Sequence, residues 1–272
     1  MSAAPTLLKL GGELIEDEAR MRAMAGAIAA AARRIPLVVV HGGGREIDAA
    51  LARAGIARQQ VDGVRVTDEA TLGVVVAVLA GSINTRFVAA INAAGASAVG
   101  LTGADASVAP VTPMPPLRAV DGRVVPLGFV GQPVTGGRAD LIAHLVGAGY
   151  TPVAASIGAD AAGALHNVNA DTMAAALAVR AGASRLVIAG TTPGVLDAAG
   201  KNVPELGAGA EAALLAAGAI NAGMIAKLRA CREALAGGVA SVMIGDGRDA
   251  GVLLAALTSA DGHHPAATAI VR

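Results

Sequence analysis

The stretch "PLVVVHGGGREID", residues 36–48, joins an apolar strand to a helical pattern through a histidine and three consecutive glycines. Leu37 to Val40 form an unbroken apolar run, which reads as a strand buried on both faces. Three glycines directly after it give up side chains beside the core. One glycine there would only ease a tight turn. A triple points to backbone lying against a ligand.

The same pattern recurs on either side. Strands are expected at "TLLKLGG" (6–12), "LVVVHGG" (37–43), "SAVGLTG" (97–103), "TPVAASIG" (151–158), "RLVIAG" (185–190) and "SVMIGDG" (241–247). Helical segments fall at 16–34, 46–54, 68–94, 138–148, 171–181, 222–236 and 249–258. Apolar strands alternating with helices predict a mostly parallel sheet covered on both faces. Almost every strand candidate ends in glycine, so a ligand crevice is expected beyond the strands' carboxyl ends. Residues 110–137 are rich in Pro and Gly and break the rhythm. They predict a β-hairpin excursion or a loop at the pocket, with "VDGR" (120–123) as its turn. The tail from 260 is expected to be weakly structured until "TAIVR", which could add an edge strand.

Composition narrows the function classes. The 272 residues suffice for one large α/β domain or two lobes sharing a sheet. With no Trp, one Tyr and two Phe, the core must be built from aliphatic residues, and extensive base stacking is disfavoured. Net charge is zero with the basic residues scattered, so no nucleic-acid surface is expected. Cys231, the single cysteine, allows no intrachain disulfide, in keeping with a reducing cytoplasm. The N-terminus lacks the pattern of a signal peptide. The most apolar run, "LGVVVAVLAG" (72–81), is too short to span a bilayer.

Familiar signatures fail when tested. No G-x4-G-K-S/T loop occurs, and "GAGAEA" (207–212) follows no convincing strand. The "HGGG" of lipase-like hydrolases lacks its G-x-S-x-G partner, and no H-E-x-x-H or clustered metal-ligand set is present.

Four separated stretches remain. Lys9 lies inside an apolar strand just before Gly11-Gly12, a costly place for a charge unless it meets a partner or ligand. It could instead snorkel from an edge strand. The turn "VVVHGGG" can hold an anion on its amides and the following helix N-terminus. In "HNVNADTMAAALAV" (166–179), Asn167 and Asp171 stand four apart at a helix start, where Asn169 or Asp171 could also be an ordinary cap. In "NAGMIAKLRACREAL" (221–235), Lys227 lies about a turn into a helix, where a solvated lysine would be unremarked.

Taken in order, "KLGG", "VVVHGGGREID", "GVRVTD" (63–68), "AGSIN" (80–84), "AVGLTG", "GYTPVAASIG" (149–158), "NVNADTMAAALA" and "GMIAKL" make the chain resemble the amino acid kinase family over nearly its whole length. Within that family it is similar to the branch that phosphorylates N-acetyl-L-glutamate. The resemblance implies a three-layer αβα sandwich in one domain, residues 1–272. Its N-lobe, about 1–165, would bind the acyl-amino acid, and its C-lobe, about 166–272, would bind ATP. The implied reaction moves the ATP γ-phosphoryl group, with Mg²⁺, onto the substrate's side-chain carboxylate. Lys9, Lys227 and Asp171 would be catalytic, with Asp171 holding both ammonium groups. Gly43, Gly44, Arg65 and Asn167 would bind substrate, Arg65 as a clamp on its α-carboxylate. Gly11 and Gly12 would bind phosphate, and Thr191, Gly194 and Met224 the nucleotide. The glycine turn would then approach the transferring phosphoryl group, where a Cβ would collide with substrate.

The resemblance further implies a cytoplasmic homodimer, paired through the apolar face of helix 68–94. Lys9 follows the N-terminus so closely that the extra helix of arginine-regulated hexamers is not expected. Gly190 and Thr191 stand where the family has Ser/Thr-Asp, and Ala226 stands where proline is common. Two alternatives stay open: a kinase for a related acyl group, such as carrier-bound aminoadipate or glutamate, and a catalytically silent ligand-binding regulator. If Asp171 acts through charge, Asp171→Asn is expected to remove activity with stability nearly unchanged.

Overall fold

The computed structural model describes residues 3–119, 121–259, 264 and 266–272. All six expected strands form, and they lie side by side. From one edge to the other, the eight-stranded sheet runs Glu205–Leu206, Ala267–Ile270, Ser241–Asp246, Arg185–Gly190, Thr6–Leu10, Leu37–His41, Thr151–Ala155 and Ala98–Thr102. The last six are parallel neighbours. Ala267–Ile270 runs antiparallel to Ser241–Asp246, so the expected addition from "TAIVR" forms one position in from the edge. Residues 260–263 and 265 of the tail lie outside the described residues.

Strand parity divides the core. Leu7, Val38, Val40, Leu186 and Ile188 face one way and pack with Met173, Ala174 and Leu177 of the helix Ala170–Arg180 and with Leu228 of the helix Ala222–Ala236. Leu8, Leu37, Val39, Val187 and Met243 face the other way, against the helix Glu18–Ala32 and Leu79, Ile83 and Phe87. Successive side chains of a strand point to opposite faces, so Lys9 shares the side of Leu7, under the helix that carries Asp171. Side-chain caps start these helices: Asp17 for Glu18–Ala32, Asn169 for Ala170–Arg180 and Asn221 for Ala222–Ala236.

The Thr6–Leu10 strand is the topological switch. Its next neighbour in sequence, Leu37–His41, lies on one side, and Arg185–Gly190 lies on the other. Crevices form at such points, beyond the carboxyl ends of the strands. Over this one hangs a second sheet, ordered Ile157–Ala159, Leu165–Val168, Val130–Pro133 and Val111–Pro113. The excursion at 110–137 is thus a hairpin, with a smaller one, Leu117–Arg118 against Val124–Val125, at its tip. Its turn runs through Gly122 at φ 86°, while Val120 lies outside the described residues. Gln60–Val61 pairs with Val64–Arg65 through Asp62 and Gly63, both at positive φ, as a two-residue Asp-Gly hairpin requires.

One helical stretch runs without a break from Glu69 to Ala93, and by length and composition alone it could cross a membrane. Its bulky face is a core face: Val75, Leu79, Ile83, Phe87 and Ile91 are fully buried. The residues turned outward are mostly small, Gly73, Ala77, Gly81 and Ala89 among them. Residues Ala77–Ile83 are wound as a π-helix, a local widening that often marks functional sites.

Candidate active site

Two glycine turns meet at the switch point. A Cβ built on Gly12 would lie 2.8 Å from the Cα of Gly43, so the backbones of the two turns touch. The Gly43 Cβ direction is blocked by Ile83 and Leu79 from the π-helical segment. A side chain at Gly43 would therefore collide with the protein itself. At Gly44 no atom lies within 4 Å, and that position faces open space. The Gly11 amide donates to the Ala189 carbonyl at 2.9 Å, while Gly11 itself borders the cavity beside Gly12. The next residue, Gly12, opens a short helical turn, and Gly43 and Gly44 open the helix Gly44–Arg53. Helix starts leave amides without intrahelical partners, which is what an anion requires.

Lys9 and Lys227 converge on one carboxylate. Lys9 Nζ stands 2.8 Å from Asp171 Oδ1, and Lys227 Nζ stands 3.3 Å from Asp171 Oδ2. Asn169, not Asp171, caps the helix, accepting from the amides of Asp171 and Thr172. Asp171 is free for the lysines. Burial acts to raise its pKa, but the charges of Lys9 and then Lys227 outweigh that and hold it below the usual carboxylate range. The cluster of two ammonium groups and one carboxylate carries a net positive charge. Lys9 and Asp171 are almost wholly buried, whereas the Lys227 side chain is 22% exposed.

Lys9 and Lys227 border a cavity of about 860 Å³ that also reaches Gly12, Gly44, Arg65 and Asn167. Arg65 sits on its short hairpin with Nη2 2.5 Å from Asp48 Oδ1. Its Nη1 is buried without a protein partner. Asn167 donates to Thr67 Oγ1 at 3.1 Å, and Thr67 in turn donates to the Arg65 carbonyl, so Arg65 and Asn167 are tied together. Of the predicted site residues, Asp171, Thr191, Gly194 and Met224 do not border this cavity. Gly194 is packed instead against Thr268 and Asn202. Gly190, the departure noted above, leaves room for a neighbour: a Cβ there would lie 3.7 Å from Glu13 Oε1 and 4.0 Å from Lys227 Cε. Glu13 borders the cavity and was not singled out from the sequence; its position after "KLGG" was the available signal.

His41 was also passed over. It is fully buried and neutral, with Nδ1–H donating to the Gly42 carbonyl and Nε2 accepting from Asn84 Nδ2, which also donates to Val153 O. Burial lowers its pKa to about 4. Because its folded pKa lies below the unfolded value, its contribution to stability is complete above about pH 6.5. That contribution is lost as the pH falls from there to about 4, and amounts to about 3 kcal/mol. Urea titrations across that range should show a shallower decline for His41→Asn than for the parent. Parallel curves would mean that His41 is already charged in the fold.

Comparison with known proteins agrees with this architecture. The family model for the amino acid kinase family matches residues 5–246, and the chain belongs to that family. Among its relatives, an acetylglutamate kinase of Acidiphilium cryptum is 42% identical over 255 residues, covering 91% of this chain and 84% of the relative. One of Granulibacter bethesdensis is 40% identical, with the same coverage. Among solved structures, an N-acetylglutamate synthase from Neisseria gonorrhoeae superposes with a TM-score of 0.81 at 24% identity. It covers all of this chain, which spans 60% of the synthase's length. A carbamate kinase from Giardia superposes with a TM-score of 0.69 at 17% identity, covering 100% of this chain and 99% of that one. At these identities the two superpositions speak for the fold.

Proposed function

We propose that this chain is an acetylglutamate kinase: it transfers the γ-phosphoryl group of ATP to the side-chain carboxylate of N-acetyl-L-glutamate. The observation that carries the reading is the buried Asp171 with a lysine ammonium on each oxygen, both lysines bordering the cavity that the two glycine turns line. The bond between the γ-phosphorus and the ADP oxygen breaks, and a carboxylate oxygen forms the new bond, giving an acyl phosphate and ADP. A glutamate-type carboxyl has a pKa near ~4.3, so it is ionised at neutral pH and needs no general base. The task is to bring two anions together and to hold the charge that spreads over the phosphoryl oxygens. Lys9 and Lys227 supply that charge, Asp171 fixes where they point, and the open glycine turns offer amides.

Arg65 takes the substrate's α-carboxylate with its unpartnered Nη1, and Asn167 binds alongside. The N-terminal part of the sheet, with the overhanging sheet, serves the acyl-amino acid, and the C-terminal part serves ATP. Mg²⁺ suits this donor set. Among the described residues no group of three His, Cys, Asp or Glu is placed to cage a metal, and Mg²⁺ in kinases is held largely by phosphates and water. Glu13, beside the Gly11–Gly12 turn, is the carboxylate that would help to hold it. The cation would supply further charge neutralisation. The family resemblance supports a homodimer, but not one paired through the apolar face of the helix 69–93, which is buried within this chain, and the single cysteine supports a cytoplasmic setting.

The test is ADP release measured with N-acetylglutamate, glutamate, aspartate, carbamate and UMP as separate acceptors. Preference for N-acetylglutamate is expected, and preference for another acceptor would overturn the reading. Arg65→Ala should raise KM for the amino-acid substrate by at least about tenfold, with KM for ATP little changed, because its partner does not react. Equal effects on both substrates would remove Arg65 from the acceptor site.

A further inference from the structure

Arg65 is held in place by a charge network that the proposed function leaves unused. Asp48 lies on the helix that begins at Gly44. Its Oδ1 is 2.5 Å from Arg65 Nη2, and its Oδ2 is 2.8 Å from Arg58 Nη1. Arg58 reaches on to Gln60 Oε1 at 2.6 Å, and Gln60 is the strand partner of Arg65. Arg65 Nη2 also points at the Gly44 carbonyl, at 3.4 Å. One nitrogen of the fork is thus spent on the protein, while Nη1 is buried and unpartnered beside the cavity. A guanidinium in this setting would turn to satisfy itself unless something fixed its plane.

We propose that Asp48 is the positioning residue that aims Arg65 at the carboxylate of the acceptor, and that Arg58 is there to balance its charge. The proposal rests on the acceptor being an acidic amino-acid derivative. Asp48 and Arg65 alone would be a neutral unit, with a carboxylate close to an arriving carboxylate. Arg58 restores a net positive charge to the group. Its side chain is 53% exposed, so salt screens its share more than that of the less exposed Asp48–Arg65 pair. Because Asp48 shares a helix with Gly44, the same element that orients the clamp also borders the phosphoryl cradle. Acceptor carboxylate and glycine turn are set in one frame, and that frame fixes the distance between the reacting groups.

The test is a double-mutant cycle on steady-state kinetics, with the acceptor's affinity also measured by calorimetry without nucleotide. Asp48→Asn should raise the acceptor KM and Kd by about tenfold or more, while kcat and KM for ATP move by no more than about threefold. On an Arg65→Lys background the same change should add less than about twofold, because the fork it aims is gone. Asp48→Glu should recover part of the loss. Arg58→Gln should raise the acceptor KM by a smaller factor that fades at high salt, and this variant keeps the test open if Asp48→Asn folds poorly. An unchanged acceptor KM in Asp48→Asn, or an undiminished effect on the Arg65→Lys background, would overturn the proposal. The parent enzyme separates the two ideas. If it prefers another acidic acceptor, the functional reading fails and the cycle is run with that acceptor. If it prefers N-acetylglutamate and the cycle shows no coupling, only the positioning role fails.

Discussion

Asp171→Asn is expected to cut kcat by at least about a hundredfold and also to lower the melting temperature. The loss of activity follows from position. Each carboxylate oxygen holds one ammonium group, at 2.8 Å and 3.3 Å, and an amide cannot balance two positive charges. The lysines would separate, and displacing a catalytic group by about 1 Å can cost ~100-fold. The stability result differs from the sequence expectation, which had Asn as a silent replacement. Lys9 and Asp171 are only 5% and 4% exposed, so the variant strands a buried cation without its counter-charge. Breaking such a pair costs about 3 kcal/mol or more, a drop on the order of 5–10 °C for a chain of this size. Lys227 can relax toward solvent, and Lys9 cannot. Full activity at normal stability would remove Asp171 from the catalytic set.

Lys227→Ala separates chemistry from architecture more cleanly. Its side chain is 22% exposed and it lies in a helix interior, where alanine is the favoured residue. Its melting temperature should stay within a few degrees, while kcat falls by about 10²–10³, the usual cost of losing one aimed charge in a transition state. Lys9→Ala should lose as much activity. Its effect on stability is smaller than that of Asp171→Asn, because Asp171 keeps Lys227 as a partner. Near-normal turnover in either lysine variant would contradict the assigned roles.

Most of the parallel sheet was legible in the sequence because its strands are short apolar runs bounded by glycine and separated by longer helical segments. Their ends were overestimated: the strands stop at Leu10 and His41, where the glycines leave the ladder. Lys9 and Asp171 could be singled out as misplaced charges. Their meeting depends on strand parity and on which helix covers which face, and neither can be read from local sequence. The overhanging sheet was only partly anticipated. Its strands are three or four residues long and pair across long separations, as Asn167 does with Val130. The Asp62-Gly63 turn carried a hairpin signal that went unread, and with it the placement of Arg65. The helix Ala208–Ala216 was missed because its alanines and glycine carry little periodicity. For Gly43, the need for glycine was visible but its cause was not, since Leu79 and Ile83 arrive from a helix more than thirty residues away.

The central claim is that this cavity makes an acyl phosphate on N-acetyl-L-glutamate, and trapping that product tests it most directly. Purified protein is incubated with MgATP, N-acetylglutamate and hydroxylamine, and the acyl hydroxamate is quantified beside ADP. The account predicts hydroxamate and ADP in equal amounts, both dependent on N-acetylglutamate and both lost in Lys227→Ala. ADP formation without hydroxamate, or no turnover with this acceptor while another is consumed, would contradict it.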